Sequence, residues 1–417
     1  MKNKLLLTFV SSVFLMSGCS RNPVTGEKEI SLISSSQEIA LGISEYNYMQ
    51  QAEGGRLADE KLNAYVQEVG RKLVDVSDRK DLPYEFVVLN NSVPNAWSLP
   101  GGKIGINRGL LLELNSEAEL AAVLAHEIVH SAARHAAKHV ERGLLMTGGL
   151  IGLQALMRDN QYEDVAVMAG AVGAGLISLK YSRMAELQAD SFGIKYMAAA
   201  GYDPQASVVL QETFLRLSDQ ESPLWLMGLF ATHPPTKERL AANQENSTKY
   251  SGGAWNEKEY HAALANLKKN KSAYEDLDNG YAALKRGDHS EALSHAEKGI
   301  ARFPDEAHLY NLKGKSLLLQ DDFEGALKAF DQAISLNPDY FDFYLQRGLV
   351  KEQMGQSGRT DLEKSLQLLP SAKAEYALGL IHLKNGRHTN AIVHFTKAAN
   401  HPSAIGDAAR EQLALLH

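Results

Sequence analysis

Two histidines four residues apart, with a glutamate after the first, constrain this chain more than any other feature. They form an H-E-x-x-H motif at residues 126–130, inside the run 117–140, which contains neither proline nor glycine. The alanines, leucines and glutamates of this run favour an α-helix. Because residues i and i+4 of a helix lie on one face, we expect the side chains of His126 and His130 to point to one place.

The residues around the motif favour a metal site over the alternative, which is a chance spacing of two histidines on a solvent-exposed helix face. Most neighbouring residues are apolar, namely Ala121, Ala122, Val123, Leu124, Ala125, Ile128 and Val129. A helix this apolar is expected to be buried, and buried histidine and glutamate need polar partners. Two neutral imidazoles one turn apart are a bidentate site for zinc. Glu127 would then act as general base towards the attacking water.

A catalytic zinc site needs a third protein ligand and an open fourth position. The metzincin pattern would place glycine at position 133 and histidine at position 136, but alanine stands at both. His135 is one residue out of step, and we expect His135 and His139 to lie on the outer side of the helix. The best candidate lies further along the chain, at Glu186, in a second predicted helical stretch with Asp190 one turn beyond.

Three motifs together resemble one family of zinc metallopeptidases. After H-E-x-x-H come S-R-x-x-E-x-x-A-D at residues 182–190 and H-P-P-T at 233–236. This combination resembles the family of HtpX and the CAAX prenyl protease, which also includes a periplasmic protease of outer-membrane β-barrel assembly. Further matches are N-P-V-T-G at 22–26 and N-A-W at 95–97. The resemblance covers about residues 21–242.

The resemblance implies one Zn²⁺ per chain and a role for each motif residue. The implied roles are zinc ligand for His126, His130 and Glu186, general base for Glu127, and second acidic group for Asp190. Asp190 would either donate a proton or orient a ligand histidine. His233 would approach the open coordination position and keep the enzyme latent, unless it only caps the helix that follows two prolines. Arg239 would steady the transition-state oxyanion or a carboxylate of the site.

A short sheet is predicted beside the motif helix. Residues 84–89 and 103–106 are strand-like and are separated by turn residues. Asn95 and Ala96 lie between them, where a substrate peptide would add to a free sheet edge through main-chain hydrogen bonds. The alternative is a purely structural hairpin, because an edge position is not visible in a sequence.

The first residues predict a targeting segment. Two lysines precede an apolar stretch at 5–16 that is too short for a transmembrane helix, so residues 1–18 are predicted to be a signal peptide. L-M-S-G-C at 15–19 resembles a lipobox, which would make Cys19 the lipidated start of an extended arm at residues 19–35. Plain signal cleavage is the alternative. Ser20 resembles the outer-membrane sorting pattern, so we expect a periplasmic protein anchored to the outer membrane.

Two apolar stretches lie between the motif helix and Glu186. Residues 144–157 and 165–179 are each too short and too interrupted to predict a membrane span. We expect two buried or membrane-surface helices, which would also be in a position to cover the site.

The C-terminal third of the chain is a repeat. Gly280, Gly314 and Gly348 are spaced 34 residues apart, and Gly379 follows after 31. A proline closes each unit, at positions 304, 338, 370 and 402. This period is the signature of tetratricopeptide helix pairs, whose stacked units present a concave groove to peptides or proteins. The third unit lacks about three residues, so its second helix, around residues 362–369, should be shorter or shifted.

The sequence therefore predicts a mainly α protein in two parts. A zincin-like metallopeptidase domain would span 36–243, a polar linker 244–272 and an α-solenoid 273–417. The net charge of -7, without a basic stripe, argues against nucleic acid as a partner. The expected function is a periplasmic zinc endopeptidase for quality control or assembly of outer-membrane proteins, with repeats that dock clients or assembly machinery. The alternative is a chaperone or scaffold lipoprotein with a silent zinc site.

Lipidation of Cys19 is testable at the mature N-terminus. We expect mass spectrometry to find a lipid-modified Cys19 as first residue, and globomycin to block processing, because lipoprotein signal peptidase acts on the lipidated precursor. Cys19→Ser should abolish both, while Ser20→Ala should keep the lipid. A mature wild-type chain without lipid would contradict the prediction.

Overall fold

The computed structural model describes residues 19–146, 180–219 and 228–416, and these residues are mainly helical, as predicted. The chain divides into two compact units, residues 1–265 and 266–417. The predicted signal peptide, the side chain of Cys19 and most of the two apolar stretches lie outside the described residues. Among the described helices, none has the length and apolar character needed to cross a membrane.

The first unit begins with a small hairpin and two helices. Strands β1 (Cys19–Arg21) and β2 (Lys28–Ile30) pair antiparallel. Helices α1 (Ser35–Ala52) and α2 (Glu60–Val74) follow. The later helices of this unit are α3 (Arg108–Glu113), α4 (Glu117–Ala132), α5 (His135–Met146), α6 (Arg183–Ala199), α7 (Gln205–Asp219), α8 (Leu229–Thr232), α9 (Lys237–Ser247) and α10 (Glu257–Ala263).

A three-stranded sheet lies beside these helices. Strands β3 (Glu85–Leu89), β4 (Ala96–Leu99) and β5 (Lys103–Asn107) are arranged in the order β3-β5-β4. The two predicted strands, β3 and β5, pair in parallel, so they do not form a hairpin. Strand β4 pairs antiparallel with β5 and lies at an edge of this sheet. Gly105 of β5 is required opposite Trp97, because a Cβ there would overlap the indole ring.

The motif helix α4 is buried along its whole length. Ser116 caps it by accepting a hydrogen bond from the Glu119 backbone N–H, and all of its residues are buried. It packs against α2 and α6 and against the sheet. Gly193 of α6 brings the two helices close together, since a Cβ at this position would lie 3.3 Å from the His126 backbone nitrogen. A helix enclosed in this way holds the motif side chains rigidly.

The predicted helical run to Val140 is broken in the structure. Arg134 adopts the left-handed conformation with a φ of 61°, which costs about 1–2 kcal/mol for a residue with a Cβ. Its guanidinium donates to the Ile33 carbonyl oxygen at 2.6 Å and pairs with Glu38 at 3.2 Å, and these contacts stabilise the turn. Helix α5 then starts at His135.

The segment 244–272, predicted as a polar linker, begins inside the first unit. The buried Tyr260 of α10 donates to the Leu111 carbonyl oxygen at 2.6 Å. Asn256 donates to the Glu117 carboxylate at 3.1 Å, at the start of α4. The boundary between the units follows Ala265. These contacts make the residues after α9 part of the packing of the first unit.

The second unit is a series of antiparallel helix pairs, as the repeat predicts. Its helices, after the short boundary helix α11 (Ala265–Lys269), are α12 (Lys271–Arg286), α13 (His289–Arg302), α14 (Ala307–Leu318), α15 (Phe323–Leu336), α16 (Phe341–Gln353), α17 (Arg359–Leu368), α18 (Ala372–Lys384), α19 (His388–Ala399) and α20 (Ala404–Leu416). The predicted shortening of the third pair is confirmed, because α17 has 10 residues where α13 and α15 have 14.

Substitution of Gly42 in α1 tests whether this helix packs against the turn at Pro100, between β4 and β5. A Cβ at Gly42 would overlap the Pro100 carbonyl oxygen, whereas a Cβ at Gly143 of α5 would meet no atom of the described residues within 4 Å. We expect Gly42→Ala to destabilise the first unit by about 1–3 kcal/mol through overpacking. Gly143→Ala should be neutral or stabilise by up to about 1 kcal/mol through helix propensity.

Tryptophan fluorescence during urea unfolding measures this difference. All three tryptophans of the chain, Trp97, Trp225 and Trp255, precede residue 266, where the second unit begins, so the signal does not report on the second unit. Equal midpoints for the two variants would mean that α1 does not pack against the turn as described.

Candidate metal centre

Four buried side chains from three segments converge at one point. His126 and His130 come from α4, Glu186 from α6, and His233 from the residue that follows α8. One nitrogen or oxygen atom of each lies within 4.8 Å of every other. The structure thus brings together the three predicted ligands, and His233 joins them from the H-P-P-T motif.

The donor atoms face one another at short range. His130 Nε2 lies 3.0 Å from His126 Nε2 and 3.4 Å from a Glu186 oxygen. His233 Nδ1 lies 3.0 Å from the same carboxylate and 3.3 Å from His126 Nε2. Imidazole nitrogens with one carboxylate oxygen form the donor set that borderline divalent metals such as zinc prefer. The residues present therefore fit a divalent metal ion.

Glu127 is a buried carboxylate whose side chain is only partly satisfied. It is 1% exposed, and its Oε2 atom has no hydrogen-bond partner among the described residues. Burial raises its pKa, against the opposing charges of His233 and His126. Since burying a polar atom without a partner costs free energy, such an atom is expected where a ligand or water is to be bound.

Asp190 and Arg239 support the centre from behind His126. Asp190 Oδ1 lies 2.9 Å from His126 Nδ1, and Arg239 donates to both Asp190 oxygens at 2.7 and 2.8 Å. Arg239 also contacts Glu186 at 2.9 Å. Burial raises the pKa of Asp190, but the charge and hydrogen bonds of Arg239 outweigh it and lower that pKa overall. An ionised Asp190 accepts the Nδ1 proton of His126, which leaves Nε2 to face the other ligands.

The two motif histidines differ in their electrostatic surroundings. Burial lowers the pKa of His130 well below its ordinary value. For His126 the effect of burial is outweighed by Glu186 and Asp190, which together raise its pKa to about 10. A metal ion must therefore displace a proton from His126, so metal affinity is expected to fall as the pH falls.

The residues that surround His130 were not predicted from the sequence. We expected His135 on the outer side of the helix, and this is wrong, because α4 ends before it and the turn at Arg134 directs it inwards. His135 is 6% exposed, with a pKa that burial lowers to about 4. Its Nδ1 lies 2.9 Å from His130 Nδ1. The ring of Tyr181 stacks on His130 with centroids 3.8 Å apart. His139 is exposed, as expected.

The predicted substrate-binding residues lie where strand β4 begins. Ala96 is the first residue of β4 and is buried, and the Asn95 carbonyl oxygen accepts a hydrogen bond from Asn107 of β5. Strand β4 runs beside α4, to which it is joined by a 2.6 Å contact between the Ser98 and Ser131 hydroxyls. The edge strand is thus adjacent to the motif helix, and peptide binding there stays a prediction.

Comparisons with known proteins are consistent with this geometry. Residues 60–247 match Peptidase family M48, and residues 277–350 match the tetratricopeptide repeat. The beta-barrel assembly-enhancing protease of Escherichia coli is 30% identical over 231 residues, covering 52% of this chain and 45% of that protein. The mitochondrial metalloendopeptidase OMA1 of Schizosaccharomyces pombe is 30% identical over 230 residues, covering 54% and 65%. The metalloprotease YcaL of E. coli is 24% identical, covering 57% and 95%.

These matches assign the parts of the chain rather than the whole. The chain spans less than half the length of the E. coli beta-barrel assembly-enhancing protease it matches. A solved tetratricopeptide protein of Thermus thermophilus is 21% identical and covers 49% of this chain and 98% of its own, but its TM-score of 0.32 is too low to support an argument. Residues 60–247 of this chain are thus similar to Peptidase family M48, and residues 277–350 are similar to tetratricopeptide repeats.

Proposed function

We propose that this protein is a zinc-dependent endopeptidase that cleaves protein substrates. The observation that carries the proposal is the convergence of His126, His130 and Glu186 beside Glu127, whose Oε2 atom lacks a hydrogen-bond partner among the described residues. Structural zinc sites have four protein ligands and no need of an adjacent buried carboxylate. A general base, in contrast, must keep an atom free for the proton it accepts.

The proposed mechanism assigns one task to each buried group. When bound, zinc lowers the pKa of a water molecule to about 7 and polarises the scissile carbonyl. Glu127 accepts the proton of the attacking water and passes it to the leaving amine. Asp190, held ionised by Arg239, orients His126 rather than donating a proton, because its lowered pKa leaves it without one at neutral pH. Arg239 steadies the site carboxylates, which are its partners in the structure.

His233 is proposed to hold the enzyme in a latent state. Its ring lies among the ligands, with Nδ1 3.0 Å from Glu186 and Nε2 3.6 Å from Glu127. A side chain in this place competes with substrate and water for the open coordination position. Hydrolysis then requires the H-P-P-T segment to move away, so only a fraction of molecules is competent at any time.

Substrate is proposed to bind as an added strand along β4. The edge position of β4, beside α4, supports this, because an extended peptide paired with β4 would run past the ligands. Asn95 and Ala96 would begin that pairing. Main-chain pairing is independent of side-chain identity, which suits an enzyme that acts on unfolded proteins.

The cellular role is proposed from the targeting segment and from the relatives. The predicted lipidation at Cys19 would anchor the protein to the outer membrane from the periplasmic side. Several relatives, among them the E. coli protein, are named for the enhancement of β-barrel assembly. We therefore propose unfolded outer-membrane proteins as substrates, with the repeats docking these clients or their assembly machinery. Nucleic acid has no role in this proposal, because the chain is acidic.

A chaperone or scaffold is the competing function. The repeats alone would provide client binding, and His233 as a permanent fourth ligand would turn the centre into a structural zinc site. The two functions differ in whether Glu127 is needed.

Glu127→Gln tests the peptidase directly. We expect kcat/KM on an unfolded outer-membrane protein to fall by about 10²–10⁴-fold, the usual contribution of a general base. Zinc content, measured by atomic absorption, should stay at that of wild type, since Gln keeps the shape of Glu127 and the ligands are untouched. Glu186→Gln, by comparison, should lose zinc. Equal cleavage by wild type and Glu127→Gln would leave only the chaperone or scaffold.

His233→Ala tests latency. Removing this ring should raise the rate of hydrolysis several-fold with unchanged zinc content, because the competent fraction increases. The matched control is His139→Ala, an exposed histidine of α5 that should leave the rate unchanged. A His233→Ala protein that retains zinc but is no more active than wild type would rule out a latch.

A further inference from the structure

His135 is a buried histidine that the proposed mechanism does not use. Its ring centroid lies 4.9 Å from that of His130, and it is not one of the four side chains that converge at the candidate metal centre. On its other side, its Nε2 lies 3.2 Å from Gln188 Oε1, two residues after Glu186 on α6. A chain of contacts thus runs from Gln188 through His135 to His130.

The geometry of His130 determines where its proton must be. Its Nε2 faces His126 and Glu186, so Nε2 is the atom available to a metal ion. A neutral imidazole that ligates through Nε2 carries its proton on Nδ1. That Nδ1 lies 2.9 Å from His135 Nδ1, which must therefore accept the hydrogen bond.

The same reasoning determines the proton of His135. With Nδ1 as acceptor, a neutral His135 carries its proton on Nε2 and donates it to Gln188 Oε1, which has acceptor capacity. In the other neutral tautomer of His135, the proton is on Nδ1. Both facing Nδ1 atoms would then carry a proton, and neither would have a lone pair to accept a hydrogen bond. Only one arrangement of protons satisfies all three side chains and leaves Nε2 of His130 open.

We propose that His135 and Gln188 are positioning residues that fix the ring orientation and tautomer of the metal ligand His130 through a neutral hydrogen-bond chain. This inference rests on the proposed zinc-dependent function. It gives His130 the support that Asp190 and Arg239 give His126, but with uncharged partners. Mutating a residue that hydrogen-bonds a metal ligand usually lowers metal affinity by about 10–100-fold.

The turn after α4 makes this arrangement possible. Asn22 of the N-terminal arm donates to the Ala133 carbonyl oxygen at 2.9 Å, and Arg134 is held by Ile33 and Glu38. These contacts hold the start of α5, from which His135 projects towards His130. On a continued helix, His135 would lie five residues after His130 and outside its face.

Paired variants separate the hydrogen bond from packing. His135→Leu removes the acceptor, and we expect its Zn²⁺ dissociation constant, measured by chelator competition, to rise about 10–100-fold. His135→Asn keeps a polar acceptor near the position of Nδ1 and should recover most of the affinity. Gln188→Leu should weaken Zn²⁺ binding in the same direction, while Gln188→Glu retains the acceptor. His139→Leu, at an exposed position of α5, is the control and should bind Zn²⁺ like wild type.

A tautomer measurement on the Zn²⁺-loaded wild type is independent of any variant. Two-bond ¹H–¹⁵N spectra should place the proton of His130 on Nδ1 and that of His135 on Nε2. A proton on Nδ1 of His135 would overturn the proposal. This measurement also decides the matter if His135→Leu loses its circular dichroism signal, because it does not require the variant to fold.

The outcomes distinguish this inference from the proposed function. A folded His135→Leu that binds Zn²⁺ as tightly as wild type, in a protein whose cleavage depends on Glu127, overturns only the positioning role. A wild-type protein that binds no Zn²⁺ and cleaves nothing overturns the proposed function and this inference together.

Discussion

The first unit depends on the mutual compensation of charged groups buried between α4 and α6. Glu127, Glu186 and Asp190 are each at most 6% exposed. An isolated carboxylate at such depth would be strongly destabilising. Arg239 pairs with two of the three carboxylates, and the histidine rings contact the rest. Removing one member therefore leaves others uncompensated, so the site and the packing of the two helices stand together.

The end of α4 connects this buried cluster to the N-terminal arm. Arg134 adopts a backbone conformation that a residue with a Cβ avoids, and it is held by contacts to Ile33 and Glu38. Glu29 of β2 pairs with Lys138 of α5 at 2.6 Å. The arm that begins at the proposed lipid anchor thus stabilises the turn that directs His135 to His130. Strain at the turn is offset by the arm, which gives the arm a structural task besides that of a tether.

The sequence predicts those parts of the structure whose residues recur at a regular spacing along the chain. The i, i+4 spacing of His126 and His130 defines their common face on any helix, and the 34-residue period defines the helix pairs of the second unit. Gly287, Gly355 and Gly386 end the first helix of a pair with φ of 84°, 74° and 69°, as a glycine at a helix end predicts. The resemblance, rather than the spacing, indicated Glu186 and His233, which come from distant segments.

The unpredicted parts depend on contacts between distant residues. The run after His130 has no helix-breaking residue, so local propensity continues the helix to Val140. The break at Arg134 is stabilised by residues about 100 positions earlier. Parallel pairing of β3 with β5, which leaves β4 at the edge, is likewise a tertiary outcome that alternation of apolar residues does not determine. Helix α10 packs in the first unit through Tyr260, although the sequence around it is polar.

The charge balance of the metal centre explains why the hydrogen-bond chain that supports His130, which runs through His135 to Gln188, is uncharged. Three buried carboxylates, those of Glu127, Glu186 and Asp190, face one guanidinium, and a divalent cation bound among them would bring the cluster close to neutrality. A carboxylate in place of His135 would orient His130 as well as Asp190 orients His126. It would also add a fourth buried carboxylate to a cluster that already holds three, at a cost of several kcal/mol. A neutral imidazole that donates its Nε2–H to Gln188 fixes the same tautomer of His130 without adding that charge. His126 is therefore oriented by a charged partner and His130 by an uncharged one, and the charge balance of the centre explains both.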